Sequence, residues 1–264
     1  MQSGYRRIVL VNTITLIITL FGNFVAGSGK FINKTVGEVS NKYDTLFTPA
    51  GYAFSIWSLI FLLLTGFCMY QWYLLKKGDD NNFISRTGYW FALSNVANVL
   101  WLVCWLNEWM ALSVIVILML LFCICMLTLR LRLQLDQERF STLLFVSWPV
   151  AIYLGWLMVA TIACAAAWLV STGYRGGGMG EETWTIIMII TAAFLFLVLL
   201  KTRKLAAALL VGIWSFVAIA VKQWQLHDNI SLTALIASSV LLIAIGIHAY
   251  KNRQVDLLSE ERTL

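Results

Sequence analysis

What this 264-residue chain most lacks is charge. Only 12% of its residues are Asp, Glu, Lys or Arg, whereas a soluble domain typically carries about 25%. With so few polar groups it cannot cover itself against water, so disorder, a nucleic-acid module and an ordinary soluble enzyme are excluded. Proline is almost absent, with two residues, so long helices can run unbroken. The five cysteines, Cys68, Cys104, Cys123, Cys125 and Cys164, form no CxxC pair and all fall in apolar runs. Disulfides and soft-metal sites are therefore not expected. No GxSxG, HExxH or phosphate-binding glycine loop occurs, and no Asp, Glu, Lys or Arg lies in the middle of an apolar run. Proton relays and ion paths use such intramembrane charges. General acid–base catalysis needs titratable groups at the reacting atom, so no catalytic residue is assigned and an enzyme using protein groups alone is not expected. His227 and His248 have no clear partner for a metal cluster.

What is present is apolar. Hydrophobic residues make up 60% of the chain and mean hydropathy is +0.81. A spanning helix needs about 20 apolar residues. Eight runs approach that length, at roughly 8–27, 50–75, 87–106, 109–129, 140–170, 183–200, 205–221 and 230–250. The fold class is all-α, a polytopic membrane bundle of about eight helices. The first run follows Arg6 and Arg7 as a signal peptide would, but Asn12 and Asn23 interrupt it and no small-residue cleavage site follows.

Net charge is +6, and the cations sit where topology needs them. Fourteen of the nineteen Lys and Arg fall on the N-terminal side of an eight-span arrangement. They include Arg6, Arg7, Lys76, Lys77, Arg130, Arg139, Lys201, Arg203 and Arg262. Lys30, Lys34, Lys42, Arg175 and Lys222 fall on the other side. The positive-inside rule then places both termini in the cytoplasm, in a multi-pass protein of the cell (inner or plasma) membrane. The partners this implies are a lipid bilayer and no nucleic acid. The longest outer loop, residues 28–48, mixes Gly, Lys and Asn with Phe31, Tyr43 and Phe47. A second, residues 172–182, carries Gly176, Gly177 and Gly178. It divides the chain into a five-span unit (1–171) and a three-helix extension (183–264). Asn33-Lys34-Thr35 and Asn229-Ile230-Ser231 match the glycosylation sequon on that outer side.

The 12 tryptophans require a reason. Asn98, Trp101, Trp105 and Trp109 recur at spacings of three, four and four, which places them on one helical stripe, with Asn95 on a neighbouring face. A buried Asn must find partners, and an indole has an N–H to satisfy. Trp109, beside Glu108, suits an interfacial belt. Asn98 and Trp101 fit either a pocket wall or helix packing. Thr48 and Pro49 suit the N-cap and first position of the second span, with Trp57 two turns inside. Pro149 lies in the middle of the fifth run and predicts a kink, flanked by Trp148 and Trp156. Ala160, Ala163, Cys164 and Ala167 form a small-residue face suited to close packing, as do Ala208 and Gly212.

Three stretches resemble the translocator protein family, the tryptophan-rich sensory proteins (TspO/MBR). They are Pro49 and Trp57 in TPAGYAFSIW, Asn98, Trp101 and Trp105 in NVLWLVCW, and Trp156, Ala160 and Thr161 in WLMVAT. The resemblance covers about residues 5–170. The sequence departs from the family pattern in having a single Pro before the second helix and Leu102-Val103 where a Pro follows the third-helix Trp. Pro149 and Trp156 stand seven apart where four is usual, and Cys164 replaces an Asn.

The resemblance implies a five-helix bundle enclosing a ligand pocket, with the first loop over it as a lid. It implies binding of porphyrins, other tetrapyrroles or sterol-like molecules, without a required cofactor. Trp57, Asn98, Trp101, Trp105 and Trp156 would line the pocket, and Tyr43, Phe47 and Tyr52 would close it. The expected function is a receptor or sensor for a flat hydrophobic ligand. A transporter of small amphipathic molecules, a light-dependent tetrapyrrole-modifying protein and a scaffold are the alternatives. A homodimer stays open.

Overall fold

The computed structural model of the chain describes residues 2–29, 32–78, 82–133 and 140–261; Lys30, Phe31, Arg139 and Arg262 lie outside them. Among the described residues there are helices and no strand. Seven helices are long and apolar enough to cross a bilayer, and the eighth apolar helix, Trp90–Leu106, has 17 residues. At 1.5 Å per residue it is about 25 Å long. The spans bear out the polytopic bundle, and their length and composition put the chain in a lipid bilayer.

The elements in order are α1 (Gln2–Gly27), the short α2 (Val36–Lys42), α3 (Ile56–Lys77), the short α4 (Phe83–Thr87), α5 (Trp90–Leu106) and α6 (Met110–Leu131). They continue with the single turn α7 (Phe140–Thr142), α8 (Trp148–Ser171), α9 (Glu181–Arg203), α10 (Ala206–Gln223) and α11 (Asp228–Glu261). Neighbour contacts close a ring: α1 packs on α5, α5 on α6, α6 on α8, α8 on α3, and α3 on α1. The other three spans stand outside it, with α10 against α8 and α11 against both α10 and α9.

Polar residues that interrupt the apolar runs pin this ring. Thr19 Oγ1 donates to the Asn95 carbonyl (3.1 Å), Asn95 Nδ2 to Thr15 Oγ1 (3.3 Å), and Asn23 Nδ2 to Asn98 Oδ1 (2.9 Å), so α1 is stitched to α5. Asn12 Nδ2 donates to Gln71 Oε1 (3.1 Å) and ties α1 to α3. In hydrocarbon such groups must find partners inside the protein.

One local expectation changes. Thr48 caps no helix. It pairs reciprocally with Thr45: each backbone N–H donates to the other's hydroxyl. The chain then enters α3 through a 3₁₀ turn, Gly51–Ser55, so Pro49 precedes the helix. Around Pro149 the chain is helical from Phe140 to Ser171. The five residues before α8, Leu143–Ser147, form π-helix, which widens the turn that the proline ring would otherwise crowd.

Tight approaches fix α10 on α8. A Cβ added at Gly155 would lie 2.6 Å from the Ala208 carbonyl oxygen. At Gly212 it would lie 2.7 Å from the Phe196 ring of α9. The Ala208–Gly212 pair therefore serves packing, as expected of small residues.

Candidate functional site

The ring encloses a cavity of about 40 Å³, walled by Trp57 of α3, Trp101 and Trp105 of α5, Trp156 of α8, and Pro49 and Phe54 of the segment before α3. The floor is Ala160, Ala163, Cys164 and Ala167. This face packs on α6, where Cys164 meets Ser113 at 3.4 Å, and also borders the cavity. The rings meet edge to face: Trp57 and Trp156 have centroids 6.2 Å apart at 80°, and Phe54 and Trp156 5.9 Å apart at 78°. Trp101 and Trp105 stack at 5.7 Å and 23°. A second cavity of about 300 Å³ adjoins the first and shares Val36, Pro49, Phe54, Trp57 and Trp101 with it. Asn23, Thr35 and Asn41 add polar groups to its wall. The inner space holds a few waters at most. The outer one reaches the lower end of small-molecule sites, roughly 300–1,000 Å³. Phe54, Trp57 and Trp101 form the partition between them.

Two of the indoles are chemically unfinished. Trp101 Nε1 and Trp156 Nε1 are buried without a hydrogen-bond partner. The Trp101 N–H lies toward the Cys164 thiol, a weak acceptor. Trp105 differs, since its N–H donates to the Val36 carbonyl at 3.2 Å and so holds α2 over the cavity.

Helix α2 is the cover. It starts with a capping box in which Thr35 and Glu38 satisfy each other's backbone N–H groups. Its Val36 and Ser40 face the inner cavity. Beyond the helix ends, Glu108 in the α5–α6 turn accepts hydrogen bonds from Lys34, Lys42 and the Tyr43 hydroxyl. The ammonium groups of Lys34 and Lys42, with the Tyr43 hydroxyl, hold its carboxyl at about 2. The same contact raises Lys42 and Tyr43.

The far end of the cover is held by α10. Lys222 pairs with Asp44, and Gln223 Nε2 donates to the Leu46 carbonyl (3.0 Å). Ala50 N–H donates to the Ala218 carbonyl (3.1 Å), and Trp214 Nε1 to the Ala53 carbonyl (3.3 Å).

Of the eight residues expected at the site, Trp57, Trp101, Trp105 and Trp156 converge on the cavity. Asn98, Tyr43, Phe47 and Tyr52 line neither cavity. The Asn98 amide donates to the Tyr153 hydroxyl (3.1 Å) and accepts from Asn23. Tyr43 serves the Glu108 cluster, Phe47 is fully buried, and the Tyr52 ring packs edge-on against Trp214, 5.2 Å between centroids. Trp109 and Trp224 are exposed, as interfacial anchors are. Sequence reasoning missed Glu108, Trp214, Lys222 and Gln223. A charge within an aromatic turn was the one available signal for Glu108; a polar residue ending an apolar run does not say which loop it will meet.

Comparison with known proteins agrees with this architecture. The sequence model of a family described as TSPO-like protein matches residues 8–247. The match continues beyond the five-helix ring through α9, α10 and much of α11. None of the curated proteins and none of the solved structures compared with the chain matches it.

Proposed function

Because the chain belongs to the TSPO-like family, we propose that it is a membrane receptor or sensor for a flat, hydrophobic ligand of the tetrapyrrole or sterol kind. One observation carries the reading: four indoles from three different spans meet around one enclosed space. Residues at such separations in the chain converge only through the fold. Aromatic walls with few polar anchors are the usual make-up of a small-molecule site. The ligand enters through the outer cavity and displaces the Trp57–Phe54 partition, since the inner space is too small for a ring system as it stands. In this reading α1, α3, α5, α6 and α8 form the receptor, residues 172–182 link it to the extension, and α9–α11 brace it. Both termini lie in the cytoplasm of a cell-membrane protein, with α2 on the outer side, as the Lys and Arg distribution argues.

The test is a titration of the full chain in detergent with a porphyrin, read by the shift of its Soret band. We expect saturable binding that weakens at least tenfold in Trp57→Leu. Non-saturable partition, identical in the variant and the parent, would refute the reading. Sealed vesicles carrying the protein separate a receptor, which binds the porphyrin without net flux, from a transporter.

A further inference from the structure

We infer that the ligand of the inner cavity is electrically neutral and presents hydrogen-bond acceptors, such as ester, ketone or ether oxygens, to the indole N–H groups of Trp101 and Trp156. This rests on the receptor reading and narrows it to a chemical class.

The polar side chains on the inner cavity are few: the indoles, the Ser40 and Thr48 hydroxyls and the Cys164 sulfur. Trp101 is 7% exposed and Trp156 is 2% exposed, and neither N–H has a partner. An N–H withdrawn from water without a partner is costly, so the native state rarely leaves one except where something else is to supply the acceptor. Of the five such unpartnered polar atoms among the described residues, two belong to side chains that line this cavity. The protein supplies them with little: Cys164 sulfur is a weak acceptor, and the Thr48 hydroxyl is already paired with Thr45. The Asn98 amide, which could have served as both donor and acceptor, is taken up by Tyr153 and Asn23.

Charge is missing as well. No Lys, Arg, Asp, Glu or His lines either cavity. Lys34 and Lys42 are committed to Glu108 and Lys222 to Asp44. A carboxylate drawn into this space would lose its hydration and meet no counter-ion, which is a heavy cost. A purely alkyl ring system would bury well but leave both N–H groups unpaired. A neutral acceptor-bearing ring avoids both penalties.

Three porphyrins of similar size test this on the full chain in detergent at pH 8: a dimethyl ester, the corresponding ionised diacid, and an alkyl porphyrin with no carbonyl. The ester should bind most tightly. Trp101→Phe and Trp156→Phe keep an aromatic ring, remove the donor and shrink the ring, the last of which acts on every porphyrin alike. Each should weaken the ester about five- to tenfold more than it weakens the alkyl porphyrin, the difference a lost hydrogen bond makes. Partition into micelles is the same for parent and variant, so it cancels from that comparison. A general packing defect would weaken both porphyrins together, and that outcome overturns the inference. So does a diacid that binds as tightly as the ester. Both results leave the receptor reading intact; failure of all three porphyrins to bind overturns the receptor reading and the inference together.

Discussion

Replacing Gly155 by Ala tests how the three outer spans are joined to the ring. The new methyl would sit 2.6 Å from the Ala208 carbonyl oxygen, 3.0 Å from its Cα and 3.1 Å from Val211 Cβ. Two of these atoms are backbone of α10 and have no rotamer to change, so the helices must separate by several tenths of an ångström. Overpacking of this kind costs about 1–3 kcal/mol. The better helix propensity of Ala returns about 0.5–1 kcal/mol, leaving a net loss of about 1–2 kcal/mol. Gly66→Ala is the matched control. Its methyl would meet the Phe145 ring at 3.3 Å, and a side chain can turn aside, so the propensity gain should cancel the cost. Thermal unfolding of both variants in the same detergent reads the difference. Because Trp156 follows Gly155, the separation should also weaken porphyrin binding in Gly155→Ala alone. If Gly155→Ala unfolds at or above the temperature of the parent, the close approach of α8 and α10 is refuted, and with it the bracing role of the extension.

The cover should respond to charge. The Glu108 carboxyl is held at about 2, below its ordinary 4.5. The stabilisation it gives is therefore complete above 4.5 and is lost as pH falls from there toward 2; ligand dissociation should be steady from pH 8 to 5 and accelerate below 4.5. Glu108→Gln should reproduce that loosening at neutral pH as cleavage by trypsin after Lys34 or Lys42 several-fold faster than in the parent, because exposed ion pairs contribute about 0.2–1 kcal/mol each. Gln223→Leu takes the Gln223 donor from the carbonyl of half-buried Leu46 and should cost about 1 kcal/mol, seen as lower thermal stability and faster ligand release. Asn98→Ala strips partners from Tyr153 and Asn23 and should cost a similar amount, while porphyrin affinity of the folded protein moves less than in Trp101→Phe.

The spans were legible because the bilayer enforces them: a run of apolar residues must be helical where backbone groups have no water. The convergence of Trp57, Trp101, Trp105 and Trp156 was legible through motif order. Spacing alone did not assign Asn98 to the cavity or to packing. Its stripe faces both α1 and α8, and only the positions of Asn23 and Tyr153 reveal which partners its amide takes. The small-residue face of α8 was ambiguous for a similar reason. Alanines permit close packing and equally permit a void, and the outcome depends on whether the opposing side chains are large enough to hold the helices apart. Here the face does both: Cys164 meets Ser113 of α6, and the alanines share the cavity lining with Trp57, Trp101 and Trp105. Thr48 looked like a cap because its local sequence suits one; its hydroxyl instead accepts from the Thr45 N–H, and the Ala50 N–H goes to the Ala218 carbonyl.

The role of α10 follows from where polar residues can be placed on an apolar helix. Its hydrophobic faces are used by α8, α9 and α11, so specificity for the 44–53 segment has to come from its polar groups, its backbone and an indole N–H. Lys222, Gln223, the Ala218 carbonyl and Trp214 supply these. Three of the four contacts end on the segment's backbone, so they fix the path of the chain whatever side chains it carries. That path sets Pro49 and Phe54 against Trp57 and Trp156. The Glu108 end of the cover differs in kind: it is held mainly by side chains, two of them long and exposed lysines. Exposed ion pairs release at little cost, whereas three hydrogen bonds to part-buried backbone must be broken together at the α10 end. On this ground the α10 end of the cover is the more firmly held of the two.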